Sequence, residues 1–411
     1  MASSVAPRVS LIVVNLDGRE HLEAFMPTVM AQTVDAADLE VVVVDNGSTD
    51  GSAAWLRTHH PAVRIVANDR NEGFARANNQ GVAVANAPFV LLVNNDMWLK
   101  PDFVAQLLAA RERLGPDVAC VAARILDWDG THADFVAAGM NFEGKGFQLD
   151  HGVAADSPTG QGAEQPLLFA CGGAMLVDRA VYLAAGGLDE AFFAYYEDVD
   201  FGWRLWVLGY RVMLAPEAVC HHRHNGTSVR FERHRKDVLL ERNAMYAMIK
   251  NYDERALATC WPAALLLAVK RLAVRSTLDR RAWAFELATP PAPVHGLKQR
   301  VKRGLLRLGE RLVQRFGPDR EGAPRVAIAP EAYASAVAIE DLIDHLPALL
   351  AERRRIQAAR RRPDAEIFPL FKLPFHAVEG RGRYPETQAL VLEALGIHAL
   401  MDGTIPCATS S

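Results

Sequence analysis

The chain has 411 residues, half of them hydrophobic and 23% charged, with a formal net charge of −4. That is ordinary globular composition, enough for one large domain and a smaller second region, and its slight acidity gives no global sign of nucleic-acid binding. Five scattered cysteines (Cys120, Cys171, Cys220, Cys260, Cys407) form no C-x-x-C pair and read as reduced thiols of a cytosolic protein.

The opening "MASSVAPRVSLIVVN" lacks the charged start of a signal peptide, and its apolar run Val9–Val14 has the length of a strand. Further apolar runs follow at Leu39–Val44, Val63–Asn68, Phe89–Val93 and Val118–Ala123, with helical patterns between them. Continuous apolar strands alternating with helices predict βαβ units and a mostly parallel sheet covered on both faces. The strands end in polar residues (Asn15, Asp45-Asn46, Asn68, Asn94-Asn95-Asp96), where open parallel sheets bind ligands. From Arg124 to Pro166 periodicity fades, and a stretch of that length points to function. Trp128, Phe135 and Phe142 are candidate stacking platforms for a ligand's rings there. A strand and short helix are predicted in "GGAMLVDRAVYLAAGG", then a helix in "EDVDFGWRLWVLG".

Beyond about residue 245 the pattern turns helical. "ALATCWPAALLLAV" is shorter than the roughly 20 residues that span a bilayer and contains Pro262, so no transmembrane helix is expected. In residues 298–316, Val301, Leu305, Leu308, Leu312 and Phe316 form an apolar stripe and Arg303, Arg307, Arg311 and Arg315 a basic one. Such a helix packs on the domain surface or meets an anionic membrane.

The strand ends carry the chemistry. In "VVVVDNGSTDGS", Gly47 permits a turn and Ser48 or Thr49 can cap the next helix, leaving Asp45 to accept hydrogen bonds from a base or ribose. In "NEGFARANNQGV", Gly73 would let the backbone approach a ligand, and the following helix start favours an anion. Asn94-Asn95-Asp96 offers oxygen ligands to a hard divalent cation that also binds phosphates. In "YYEDVDFGWR", Asp200 and Arg204 are four apart and can pair on a helix, while Glu197 stands at its start.

In this order and spacing, "VSLIVVNLDGREHLEAFMPTVMAQ", "LEVVVVDNGSTDGS", "NEGFARANNQGV", "FVLLVNNDMWLKPD", "CGGAMLVDRAVYLAAGGLDEAFFAYYEDVDFGWRLWVLGYRV" and "HRHNGTS" resemble the family 2 glycosyltransferases, nearest their rhamnosyl- and galactofuranosyl-transferase-like branch. The resemblance implies a GT-A domain over 1–245, an α/β Rossmann-like fold, followed by a helical region over 246–411. It implies nucleotide contacts from Asn15, Asp45, Asn71, Gly73 and Asn94. Asp96 and His222 would hold Mg²⁺ or Mn²⁺, with N-x-D standing where the family has D-x-D; His221 and His224 compete with His222 for that register. Asp198 matches the catalytic base, with Glu197 and Trp128 on the acceptor side. The implied reaction is inverting hexosyl transfer from a dTDP-rhamnose or UDP-sugar donor to a glycan or lipid-linked hydroxyl in bacterial polysaccharide and cell-wall synthesis. It would occur in the cytoplasm, with peripheral membrane contact through 298–316. Two other readings compete. A sugar nucleotidyltransferase would need a Gly-rich basic N-terminal loop, for which "VVNLDGREHLEAF" offers one Gly and one Arg. A degenerate sugar-nucleotide-binding scaffold draws only on the N-x-D departure.

Overall fold

A computed structural model describes residues 6–223, 233–276 and 330–402; the segment 298–316 and His224 lie outside the described residues. The apolar runs form β1 (Val9–Asn15), β2 (Leu39–Asp45), β3 (Arg64–Ala67), β4 (Phe89–Asn94), β5 (Met97–Leu99), β6 (Val118–Asp127), β7 (Ala133–Phe135), β8 (Ala137–Met140), β9 (Gly146–Leu149), β10 (Ala174–Asp178) and β11 (Arg211–His222). Helices α1 (Arg19–Met30), α2 (Ser52–His59), α3 (Phe74–Val84), α4 (Phe103–Arg113), α5 (Pro158–Gln161), α6 (Arg179–Ala185) and α7 (Glu197–Val207) connect them.

The main sheet runs β3-β2-β1-β4-β10-β6-β11-β5, with β7 added to β6. β1 pairs in parallel with β2 on one side and β4 on the other. Chain order therefore reverses at β1, and the crevice past its carboxyl end is the expected ligand position. Register sets the level: Asn15 lies opposite Asp45, and Val14 opposite Asn94. The sheet is mixed, because β10 inserts antiparallel between β4 and β6.

The weakly periodic stretch is structured. β6 extends to Asp127, β7 pairs back on it, and β8–β9 form a hairpin. This corrects the reading of Phe135 and Phe142 as sugar platforms. Both are buried in the main core, where an aromatic ring removes the most apolar area from water.

α7 packs tightly on the segment before β10. A Cβ on Gly202 would lie 2.5 Å from Phe169 Cα, so only glycine allows this approach. Helices α8 (Arg233–Asn251) and α9 (Glu254–Arg275) follow, and helix Pro330–Ala358 packs on both. Residue 245 falls inside α8. The C-terminal residues share the core of the sheet and bond to the main chain of the β8–β9 hairpin and of α7: Met140 N donates to Phe371 O, Phe142 N to Pro374 O, and Arg361 N to Val207 O.

α9 departs from expectation. Its 22 residues continue through Pro262, and by length and composition it could cross a membrane. The sequence reading stopped at the apolar core and missed the flanking turns. Its face bearing Cys260, Ala264, Leu267 and Arg271 is buried in protein.

Candidate active site

The donor-side loops are latched by polar side chains. Asn15 Nδ2 donates to Ser48 Oγ (3.1 Å) and, at 3.5 Å, to Asp45 Oδ1. Asn15 Oδ1 accepts from Asn95 Nδ2 at 2.7 Å. One buried amide thus ties the ends of β1, β2 and β4 together. Ser48 and Thr49 do not cap α2: Ser48 Oγ accepts from Asp17 N, and Thr49 N donates to Asp17 Oδ1. These contacts join the loop after β2 to the loop after β1.

Asn71 and Gly73 form a turn. Asn71 Oδ1 accepts from Gly73 N and from Asn46 Nδ2, each at 3.0 Å. Gly73 has φ +89°, and a Cβ there would stand 2.7 Å from Phe193 Cδ2. The first amides of α3, Phe74 and Ala75, both donate to Phe193 O. The anion reading of that helix start is therefore corrected: a carbonyl of the chain already takes those two donors. The need for glycine comes from Phe193 and the left-handed backbone.

Asp96 and His222 come together. His222 Nε2 lies 3.4 Å from Asp96 Oδ2, and its Nδ1 lies 2.7 Å from Asp134 Oδ2. The pairing of β11 with β5 sets His222 opposite Met97 and His221 opposite Trp98, so the two histidines alternate across the strand. His222 faces Asp96; His221 stacks edge-on with Trp98 at 5.1 Å and contacts Trp128 O. Trp128, 40% exposed, stacks under Arg223 in the same group as His221. Burial pushes the Asp96 carboxyl up, but the hydrogen bond and charge of His222 outweigh it and hold it below the usual range. Burial opposes charge on His222 as well, yet its bonds to Asp134 and Asp96 raise it to about 9.

Asp96 Oδ1 is buried without a hydrogen-bond partner. An orphaned carboxylate oxygen beside a histidine nitrogen suits a cation that completes its shell from diphosphate oxygens. Among the described residues no three His, Cys, Asp or Glu side chains converge as a full protein cage. The sequence reading missed Asp134, which fixes the ring of His222 from behind, as carboxylates commonly orient ligating histidines.

The remaining carboxylates open α7. Asp198 Oδ2 accepts from Gly172 N at 2.9 Å, and its Oδ1 from Val199 N at 2.8 Å. The next residue, Gly173, accepts from Asn94 N at 3.0 Å. Two adjacent glycines therefore couple the end of β4 to Asp198. A Cβ on Gly173 would stand 2.9 Å from Asn94 Nδ2, so a side chain there would push Asn94 aside. Asp200 points away into a buried network with Arg204 (2.9 Å), Lys250 (2.8 Å) and Asn251 (2.8 Å). The expected i,i+4 pair is present, with two partners from α8 that the local sequence did not reveal.

Burial raises the Asp198 carboxyl above its ordinary value, against the pull of the Gly172 and Val199 amides. Glu197 is pushed up to about 8, by burial first and then by the charge of Asp198. The folded chain thus holds the Glu197 proton more tightly than the unfolded chain. The stability this group contributes falls as pH rises from the ordinary carboxyl range through about 8. Glu197→Gln should raise Tm relative to the parent at about pH 8.5, with the gap closing toward pH 5. An equal or lower Tm at the alkaline end would contradict this.

Residues 10–168 match the model described as Glycosyl transferase family 2, a span that ends before Asp198 and His222. The chain is 28% identical over 238 residues to N-acetylglucosaminyl-diphospho-decaprenol L-rhamnosyltransferase of Mycobacterium tuberculosis, covering 53% of this chain and 76% of that protein. It is 29% identical over 224 residues to the O-antigen biosynthesis protein RfbC of Myxococcus xanthus, covering 53% of this chain and 17% of that one. Among solved structures, GalNAc-T7 with UDP, GalNAc and Mn²⁺ is similar at TM-score 0.49 and 15% identity, over 63% of this chain and 51% of that one.

Proposed function

For a chain whose residues 10–168 match the glycosyl transferase family 2 model, on a mixed α/β sheet with a helical C-terminal region, we propose a GT-A inverting hexosyltransferase. It moves a sugar from a nucleoside-diphosphate donor to a hydroxyl of a glycan or lipid-linked acceptor in polysaccharide synthesis. The carrying observation is the chain of contacts Asn94–Gly173–Gly172–Asp198, which sets one half-buried carboxylate beside the strand end where the donor would lie. An acceptor hydroxyl has a pKa far above neutral and needs a base as it attacks. Asp198 takes that proton while the oxygen bonds to the anomeric carbon and the nucleoside diphosphate departs from the opposite face. Glu197, raised to about 8, keeps its proton at neutral pH. Its unpartnered Oε2 is available to an acceptor hydroxyl.

Asn15, Asp45 and Asn94 line the base and ribose side, on the turn built by Asn71 and Gly73. Asp96 and His222 would hold Mg²⁺ or Mn²⁺, which when bound would offset the charge of the leaving diphosphate. For this chain the reading takes dTDP-rhamnose as the donor and a lipid-linked hydroxyl as the acceptor; the M. tuberculosis relative, named for L-rhamnosyl transfer to N-acetylglucosaminyl-diphospho-decaprenol, supports the sugar and the acceptor class. In this reading the peripheral contact falls to the basic sequence of 298–316, outside the described residues. Domain 1–245 carries the donor and reacting groups, and the described residues of 246–411 (246–276 and 330–402) buttress them.

The test is a panel of dTDP-rhamnose, UDP-sugars and GDP-sugars, following nucleotide release with Mn²⁺, with Mg²⁺ and with EDTA. One donor should turn over with metal and lose most of its rate in EDTA. Asp96→Ala should raise the metal concentration needed at least tenfold. If no donor binds or turns over, the reading fails.

A further inference from the structure

We propose that Asn243, a buried side chain of α8, is a positioning residue for the transfer reaction, holding residues 192–196 in the shape that delivers Glu197 and Asp198 to the crevice. The proposal rests on the reading of Asp198 as the base.

Residues 193–196 have an unfavourable backbone. Phe193, Tyr195 and Tyr196 have φ of +63°, +68° and +65°. Three bulky L-residues of four therefore sit in the left-handed region, where the Cβ is crowded. Such a run persists only when its surroundings over-determine it. Tyr196 is also the residue before α7, and its carbonyl accepts from Asp200 N at 2.9 Å. The path of 193–196 thus sets both the start and the direction of the helix bearing the two carboxylates.

Asn243 supplies the restraint. Its Nδ2 lies 3.1 Å from Phe192 O, 2.9 Å from Ala194 O and 2.6 Å from Tyr195 O. Three carbonyl oxygens around one end of the amide require the nitrogen there, which settles the flip. The Oδ1 end accepts from Arg242 Nε at 2.9 Å, and Arg242 Nη2 donates to Ala191 O and Phe192 O. On the opposite side, Phe193 O receives the first two amides of α3. The segment is therefore a bridge between the donor-side helix and the helix of the base, clamped at its middle by one side chain from α8. Lys250 and Asn251, further along α8, hold α7 only through Asp200, whereas Asn243 acts on the main chain that leads into the site.

Asn243→Asp keeps the shape and replaces the donor with a carboxylate facing three carbonyls; Asn243→Ser is smaller and keeps one donor. Both are made in the full chain, beside the parent and Asp198→Asn. The readouts are amide hydrogen exchange across 190–201, dTDP-rhamnose cleavage with Mn²⁺, dTDP affinity by calorimetry, and Tm. Exchange should speed at least tenfold in Asn243→Asp, and kcat should fall at least thirtyfold while dTDP affinity stays within threefold. Asn243→Ser should fall between parent and Asn243→Asp in both respects, and it carries the same test if the aspartate variant does not fold. A merely structural role would lower Tm and leave kcat per folded chain unchanged, which overturns the proposal. Unchanged exchange at 190–201 overturns it as well. If the parent and Asp198→Asn cleave dTDP-rhamnose equally, the base reading fails and the positioning role fails with it, a result that the exchange data keep distinct.

Discussion

Asp198→Asn is expected to lower kcat by roughly 10²–10⁴-fold, the usual contribution of a positioned general base. Donor affinity should change little, because the proposed nucleotide contacts, Asn15, Asp45 and Asn94, lie on other strands. The two carboxylate oxygens of Asp198 each accept one N–H, from Gly172 and from Val199; the asparagine oxygen keeps one of these bonds, so Tm and dTDP binding report whether α7 keeps its place. What is lost is the ability to take a proton. The parent should lose activity on the acid side as Asp198 protonates, at a pH above the ordinary aspartate range because burial raises this carboxyl. The asparagine variant should show no such limb in its residual rate. The measurement is kcat against pH for both proteins, with dTDP binding as the control. Turnover within threefold of the parent would remove Asp198 from the mechanism.

Arg271→Met is expected to destabilise the fold by about 3–5 kcal/mol, the range for leaving buried charges without their partner. Arg271, on α9, donates to Glu143 Oε2, to Glu241 Oε2 (2.8 Å) and to the Tyr384 hydroxyl (2.7 Å), all buried. Without it, two carboxylates share Lys145, which lies 3.0 Å from Glu241. Burial pushes Glu241 up, yet Lys145 and Arg271 together bring it down to about 2. A depressed folded pKa means stabilisation that is complete above the unfolded value and lost as pH falls through about 2. The penalty of Arg271→Met should therefore be full near neutral pH and shrink as the solution is acidified below about pH 4.5. Urea unfolding at several pH values reads this directly. The double variant Glu143→Gln/Arg271→Met should be less destabilised than the single one, since it removes a stranded charge. A penalty independent of pH would show that packing of the arginine stem, rather than its charge, carries the effect.

β1, β2 and β4 were legible because each is a continuous apolar run ending in polar residues, whereas β5 and the strands β7 to β9 were not. The likeness to a known family rested on the order of those ends. Local pattern could not show that "AMLVD" would enter the sheet antiparallel between β4 and β6, since strand direction is decided by distant partners. The same limit hid Asp134, which reaches a histidine 88 positions later, and Asn243, which meets carbonyls about 50 positions earlier. Gly172 was in view within "CGG", but its amide has meaning only once Asp198 is beneath it. Phe135 and Phe142 misled because an aromatic in a weakly periodic stretch looks the same whether it faces a sugar or the core. The Asp200–Arg204 pair was readable because helical spacing alone dictates it.

α8 begins beyond the strands, yet Asn243 clamps the approach to α7 while Lys250 and Asn251 grip Asp200 two turns later. A fragment ending at residue 245 would keep the first hold and lose the second, leaving Asp200 buried with Arg204 as its one remaining charged partner. Shortening the chain at a motif boundary would thus sever the brace of the reacting helix. Any minimal active fragment has to extend through at least Asn251, and circular permutation is better placed in an exposed loop than at this junction.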